Sequence, residues 1–78
     1  MANTNELKDK NGTVITVGVL LHVWNDKPKD TPEWRDYQGL VIEKNGELNI
    51  RYEGFGVVVD TPVTEYAENM REIVKKKS

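Results

Sequence analysis

Apolar and polar positions alternate most clearly between residues 37 and 60, where the chain reads YQGLVIEKNGELNIRYEGFGVVVD. Three apolar runs, residues 40–42, 48–52 and 57–59, are separated by Asn45-Gly46 and by Gly54-Phe55-Gly56. Asn-Gly between two strand-like runs is the strongest short-range hairpin signal, because both residues tolerate positive φ. The stretch predicts a three-stranded antiparallel meander. In the 48–52 run Leu48, Ile50 and Tyr52 alternate with Asn49, Arg51 and Glu53, as a half-buried strand does. A two-residue Asn45-Gly46 loop would put Val41 opposite Ile50 and Glu43 opposite Leu48. A three-residue loop, Lys44-Asn45-Gly46, would put Leu40 opposite Ile50 and Ile42 opposite Leu48. The longer loop matches apolar with apolar and keeps Glu43 out of the core. It is the register expected here, with Gly46 as a left-handed bulge residue.

The flanking chain must pack onto this meander. Residues 1–6 are polar and expected to be disordered. Asp9-Lys10-Asn11-Gly12 is a turn signal, followed by an extended segment with Val14, Ile15 and Val17 that closes at Gly18. Residues 19–24 read as a strand, with Val19, Leu21 and Val23 on one face and Leu20, His22 and Trp24 on the other. Residues 25–33, NDKPKDTPE, form a loop, since proline removes ladder donors. After Asp60-Thr61-Pro62 two readings compete. Tyr66, Met70, Ile73 and Val74 suit one face of a helix. One helical turn near residues 62–69 and a closing strand at 72–75 is the alternative. The expected core is Leu21, Val23, Leu40, Ile42, Leu48, Ile50, Val58 and Ile73.

In order, these elements have the layout of a small SH3-like barrel: mainly β, five strands, partly open, with a short C-terminal helical turn. Five short strands closing on themselves limit exposed edges. Two local motifs point more narrowly. Leu7-Lys8-Asp9-Lys10-Asn11-Gly12, followed by Ile15 and Gly18, resembles the opening of YopX-like phage proteins. The Asp usual after that glycine is Val19 here. The segment 65–74, EYAENMREIV, resembles their closing segment, in which a Tyr and an Asn precede a final strand. The resemblance implies a phage or prophage origin and a closing strand, and so favours the turn-plus-strand reading. It implies no activity.

With 78 residues the chain is expected to form one domain, spanning residues 7–76. A charged fraction of 31% and a formal net charge of −2 suit a soluble globule and weigh against nonspecific nucleic-acid binding. No apolar run approaches the roughly 18 residues a bilayer span needs, so no membrane association is expected. The start, MANTNE, lacks the pattern of a signal peptide, and the chain has no cysteine, so a cytoplasmic location is expected. The basic run 75–77 reads as a solubilising tail.

No catalytic constellation, metal-ligand spacing or cofactor motif stands out. His22 would need a nucleophile or acid held against it, with Asp26, Asp30 and Asp36 the acids in reach. The aromatics carry more. Trp24, Trp34, Tyr37, Tyr52 and Phe55 fall near strand ends and loops, where SH3-like barrels hold peptides, methylated lysines or bases. The competing reading makes Tyr37 and Tyr52 core or cross-strand pairs and one Trp a core plug. Trp24 and Trp34 flank the long loop, and the candidate binding residues are Trp24, Trp34, Tyr37, Arg35 and Phe55. The favoured function is a module that binds a host or phage protein. The alternatives are a nucleic-acid-binding barrel, drawing on Lys8, Lys10, Arg35, Lys44 and Arg51, and a structural phage component. The identity of any partner and the oligomeric state are not readable.

Overall fold

A computed structural model describes residues 6–74. The strands are β1 (Leu20–Trp24), β2 (Asp36–Lys44), β3 (Glu47–Gly54), β4 (Val57–Pro62) and β5 (Arg71–Ile73). Two 3-10 turns, Val63–Glu65 and Glu68–Met70, connect β4 to β5. All pairings are antiparallel, and the five strands make one open sheet in the order β4-β3-β2-β1-β5. The mainly β, five-stranded expectation holds, with β4 and β5 as the two edges of the open sheet. The expected disorder of residues 1–6 falls, except for Glu6, outside the described residues, as do residues 75 and 76 and the basic tail.

The two hairpins of the meander turn in the same way. Asn45 and Gly46 have φ of 54° and 81°, and Phe55 and Gly56 have 53° and 74°. Two successive positive φ values define the two-residue turn whose twist matches that of the flanking strands. The β2–β3 register follows: Lys44 opposes Glu47, Glu43 opposes Leu48 and Val41 opposes Ile50. This corrects the expected three-residue loop. The longer loop was meant to spare Glu43 from burial, but Glu43 stands near the end of the ladder and is exposed there.

The shift by one residue changes the core. Leu21, Val23, Val41 and Ile50 are buried, joined by Ile15, Val63 and Tyr66. Leu40, placed in the core by the other register, turns outward and is 46% exposed, and Val58 is exposed on the edge strand. Ile42, Leu48 and Ile73 are only half-buried. The apolar residues meet closely because β2 has no side chain at Gly39. A Cβ there would come within 2.5 Å of Ile50 Cγ2 and 2.6 Å of the Arg51 carbonyl oxygen.

The C-terminal segment is turn plus strand. Tyr66 and Ala67 are extended, with ψ of 135° and 156°, which interrupts the helical periodicity. Tyr66 and Ile73 reach the core from separate elements instead. The closing strand begins at Arg71, one residue before the expected start, and Lys75 lies outside the described residues.

The two ends of the described chain are joined. Asp9 is 1% exposed. Its Oδ1 accepts the backbone N–H groups of Asn11 and Thr13 at 3.0 and 2.9 Å, which forms the turn. Its Oδ2 accepts the N–H of Ile73 at 3.0 Å. The Arg71 guanidinium donates to the carbonyls of Lys8, Val63 and Tyr66 at 2.7, 3.3 and 2.9 Å, and Lys10 N–H donates to the Arg71 carbonyl at 2.8 Å. Burial lowers the pKa of Arg71, against the opposing influence of Glu68 and Asp9; an arginine stays charged under such a shift.

The register is checked by a pair of truncations. Ile50→Ala should cost about 2–5 kcal/mol of unfolding free energy in urea, the usual range for a buried Ile. Leu40→Ala should cost less than about 1 kcal/mol, as at other exposed positions. Equal losses would point to the alternative register.

Candidate functional site

Residues 37, 39, 41 and 50 share the face of the sheet that carries the core, and the outer part of this face is aromatic. Tyr37 stands edge-on to Tyr52, with ring centroids 5.4 Å apart, and to Tyr66 at 6.1 Å. The hydroxyls of Tyr37 and Tyr66 are hydrogen-bonded at 2.9 Å. Arg35, Tyr37, Tyr52, Val59 and Thr61 line a cleft of about 320 Å³. Arg35 and Thr61 also border a second depression of about 290 Å³, with Asn25, Glu33, Glu65 and Tyr66 on its walls. The two depressions share Arg35 and Thr61 and together make a trough beside the foot of the β1–β2 loop.

That loop is stitched at its base by Asn25. The Asn25 side chain donates to the Glu33 carbonyl at 2.8 Å and accepts the Arg35 N–H at 2.9 Å. Asn25 N–H donates to the Arg35 carbonyl at 3.1 Å. Further out, Thr31 Oγ1 donates to the Pro28 carbonyl at 2.7 Å, and Trp34 N–H to the Thr31 carbonyl at 3.2 Å. The Arg35 guanidinium donates to the carbonyls of Pro32 and Trp34 at 2.7 and 2.9 Å. Among the described residues it pairs with no carboxylate, so its charge is available at the trough.

The five sequence-derived candidates therefore divide. Tyr37 and Arg35 share the trough. Trp24 lies on the opposite face, because Val23 opposes Tyr37 and Trp24 alternates with it. Trp24 is half-buried, with its ring 5.0 Å from the His22 ring and Lys10 Nζ 5.9 Å from its centroid. Trp34 is half-buried within the loop. Phe55 is 100% exposed at the tip of the β3–β4 hairpin. The grouping of Trp24 with Trp34 followed from their proximity to one loop, and strand alternation separates Trp24 from the trough.

Tyr66 is not among the sequence-derived candidates, because no strand end or loop of the sequence pattern brings it beside Tyr37, and Tyr52 is among the aromatics but not among the candidate site residues. His22 does meet an acid: Nε2 lies 2.6 Å from Asp36 Oδ1 on the outer face. No Ser, Thr or Lys donor accompanies this pair among its hydrogen bonds, and no group of three or more metal-ligating side chains occurs among the described residues. The fold and trough define a small antiparallel β domain with an aromatic-lined trough. No protein-family model, curated protein or solved structure matches the chain.

Burial, and then the hydrogen bond from Tyr37, raises the pKa of the Tyr66 phenol well above its ordinary value. The unfolded chain releases this proton near pH 10 while the folded chain still holds it. Tyr66 thus contributes stability that is complete below pH about 10 and is lost as pH rises through the folded value. Urea unfolding followed between pH 8 and 11 should show a decline that Tyr66→Phe reduces.

A bulky residue at φ of 53° is strained. Phe55→Asn should therefore raise stability by about 0.5–1 kcal/mol, measured as a higher urea midpoint. A loss of stability would show that the ring has packing partners in the folded chain.

Proposed function

We propose that the chain is a small module that binds another protein, encoded by a phage or prophage as the YopX-like resemblance implies, and acting in the cytoplasm. The trough carries this reading. An aromatic floor, a guanidinium with only carbonyl partners and a loop already held by its own hydrogen bonds make a surface that loses little entropy on binding. Tyrosine and arginine are the residue types, with tryptophan, that dominate binding energy at protein interfaces.

The basic residues support this reading over a nucleic-acid interface. Arg51 donates two hydrogen bonds to Asp60, at 2.9 and 3.1 Å, and Lys44 Nζ lies 3.5 Å from the same carboxylate. Lys10 sits 4.0 Å from Glu72. The pairing with Arg51 lowers the pKa of Asp60, which keeps it ionised. Arg51 and Lys44 share the one Asp60 carboxylate and Lys10 faces Glu72, so two acids offset three of the five candidate cations, which falls short of the positive stripe that a phosphate backbone requires.

The test is affinity capture from the cells that carry the gene, with wild type beside Arg35→Glu and Tyr52→Ala. Wild type should enrich a protein that survives nuclease treatment. Each variant, folded by circular dichroism, should lose at least about 2 kcal/mol of binding, roughly thirty-fold in Kd. Recovery of nucleic acid alone, or capture that both substitutions leave unchanged, would overturn the assignment.

A further inference from the structure

The two edges of the sheet are treated differently. At one edge, β5 is only three residues long, and its outward backbone groups are taken: Lys10 N–H bonds the Arg71 carbonyl and Asp9 Oδ2 accepts the Ile73 N–H. At the other edge, β4 runs for six residues, VVVDTP, and no strand among the described residues pairs with its outer side. Val57 and Gly54 close a two-residue hairpin. The ladder groups of Val57, Val59 and Thr61 therefore face β3, and those of Val58 and Asp60 point away from the sheet.

Exposed edge strands are normally blunted by lysine, a bulge, a proline or an outward charge. β4 has no lysine, and its proline comes only at the last position. Its one charge, Asp60, has its side chain turned to Arg51 and Lys44 of its own sheet. Val57, Val58 and Val59 are 54%, 55% and 46% exposed, so both faces of the edge are apolar. Beside them stands Phe55, fully exposed and held at a positive φ that costs a bulky residue energy.

We propose that β4 pairs antiparallel with β4 of a second copy of this chain, about a two-fold axis at Val58. The occupant is argued from the strand's own composition. This register sets Val58 against Val58 and Val57 against Val59 of the second copy, pairs of β-branched residues that favour each other across strands. It sets Asp60 against Gly56, which keeps the two carboxylates apart, whereas an axis at Asp60 would oppose them directly. It brings Phe55 alongside Thr61 of the second copy, at the border of that copy's trough. The strand offers no free charge to select an acidic or basic foreign segment, and an uncharged valine strand is what it complements. The product is a continuous ten-stranded sheet with both troughs on one face, because residues opposite each other in a ladder point to the same side. This pairing does not depend on what the troughs bind.

Sedimentation equilibrium of the full chain, from about 1 µM to about 1 mM, covers the affinity range of a small interface. The mass should rise toward that of a dimer and go no further. Val58→Lys places two like charges at the axis and should abolish the rise. Val58→Pro removes only an outward N–H, which an edge strand tolerates, and should do the same. Val17→Lys, an exposed position elsewhere, should leave the rise intact. Should the Val58 variants fail to fold, amide exchange of wild type serves: Val58 and Asp60 should become protected as concentration rises, and Val57 and Val59 should not change. A mass constant to about 1 mM, open-ended aggregation, a dimer indifferent to both Val58 variants, or concentration-independent exchange at Val58 and Asp60 would each overturn the proposal. So would a monomer whose Val58 and Asp60 amides respond only to an added foreign peptide.

Discussion

The fold depends on the buried carboxylate of Asp9. With one oxygen it shapes its own turn, and with the other it holds the backbone of β5, 64 positions along the chain. A three-residue strand has too few ladder bonds to stay on a sheet alone. β5 stays because its inner side pairs with β1 and its outer side is taken up by the Asp9–Lys10 segment. The Arg71 guanidinium completes the closure by collecting carbonyls from the N-terminal segment and from both ends of the stretch between Val63 and Tyr66. Burying these charges is favourable only because their hydrogen bonds are made, and no buried side-chain nitrogen or oxygen is left without a partner among the described residues.

The same closure positions the trough. Arg71 ties down the carbonyls of Val63 and Tyr66, which fixes the first 3-10 turn against the sheet. Val63 enters the core from this turn, and the Tyr66 hydroxyl meets that of Tyr37. A residue pair that closes the chain therefore also sets one wall of the surface proposed to bind. The other wall rests on the Asn25 stitching at the loop foot, which is local. One side of the trough is coupled to global stability and the other to a loop held by its own hydrogen bonds.

Much of the architecture could be read from the order of residues, because β alternation and turn chemistry are local. The meander, the face of β1 and the loop rest on such signals, whereas the helical turn before a last strand follows from the resemblance, against a helical periodicity. The register did not follow, for a physical reason. Matching apolar with apolar treats every ladder position as equally buried, whereas the last pairs beside a turn are solvated and tolerate Glu43 opposite Leu48. The turn decided the register, with Asn45 and Gly46 both at positive φ. Asp9 was read as a turn former, which it is. Its second oxygen serves a partner 64 residues away, and no local pattern announces that. Of the candidate site, Tyr37 and Arg35 are legible by position near the loop, while Tyr66 reaches Tyr37 only through a contact 29 residues apart in sequence, which no local pattern announces.

The two end motifs that carry the YopX-like resemblance are the segments that meet in space. Leu7 to Gly12 supplies the Asp9 turn, and the closing segment supplies Arg71 and β5. Their residue types answer to a structural demand: a short acidic side chain able to cap a turn and a strand together, and a long planar cation able to reach three carbonyls. A pattern of this kind specifies how a small β domain closes without a disulfide or a metal. The β4 edge and the trough residues Arg35, Tyr37 and Tyr52 lie outside these motif residues, whereas Glu65 and Tyr66 lie within the closing one. A search for function therefore belongs at the open edge and at the trough residues outside the motifs, Arg35, Tyr37 and Tyr52, since changes there can alter what is bound while the Asp9–Arg71 closure keeps the sheet intact.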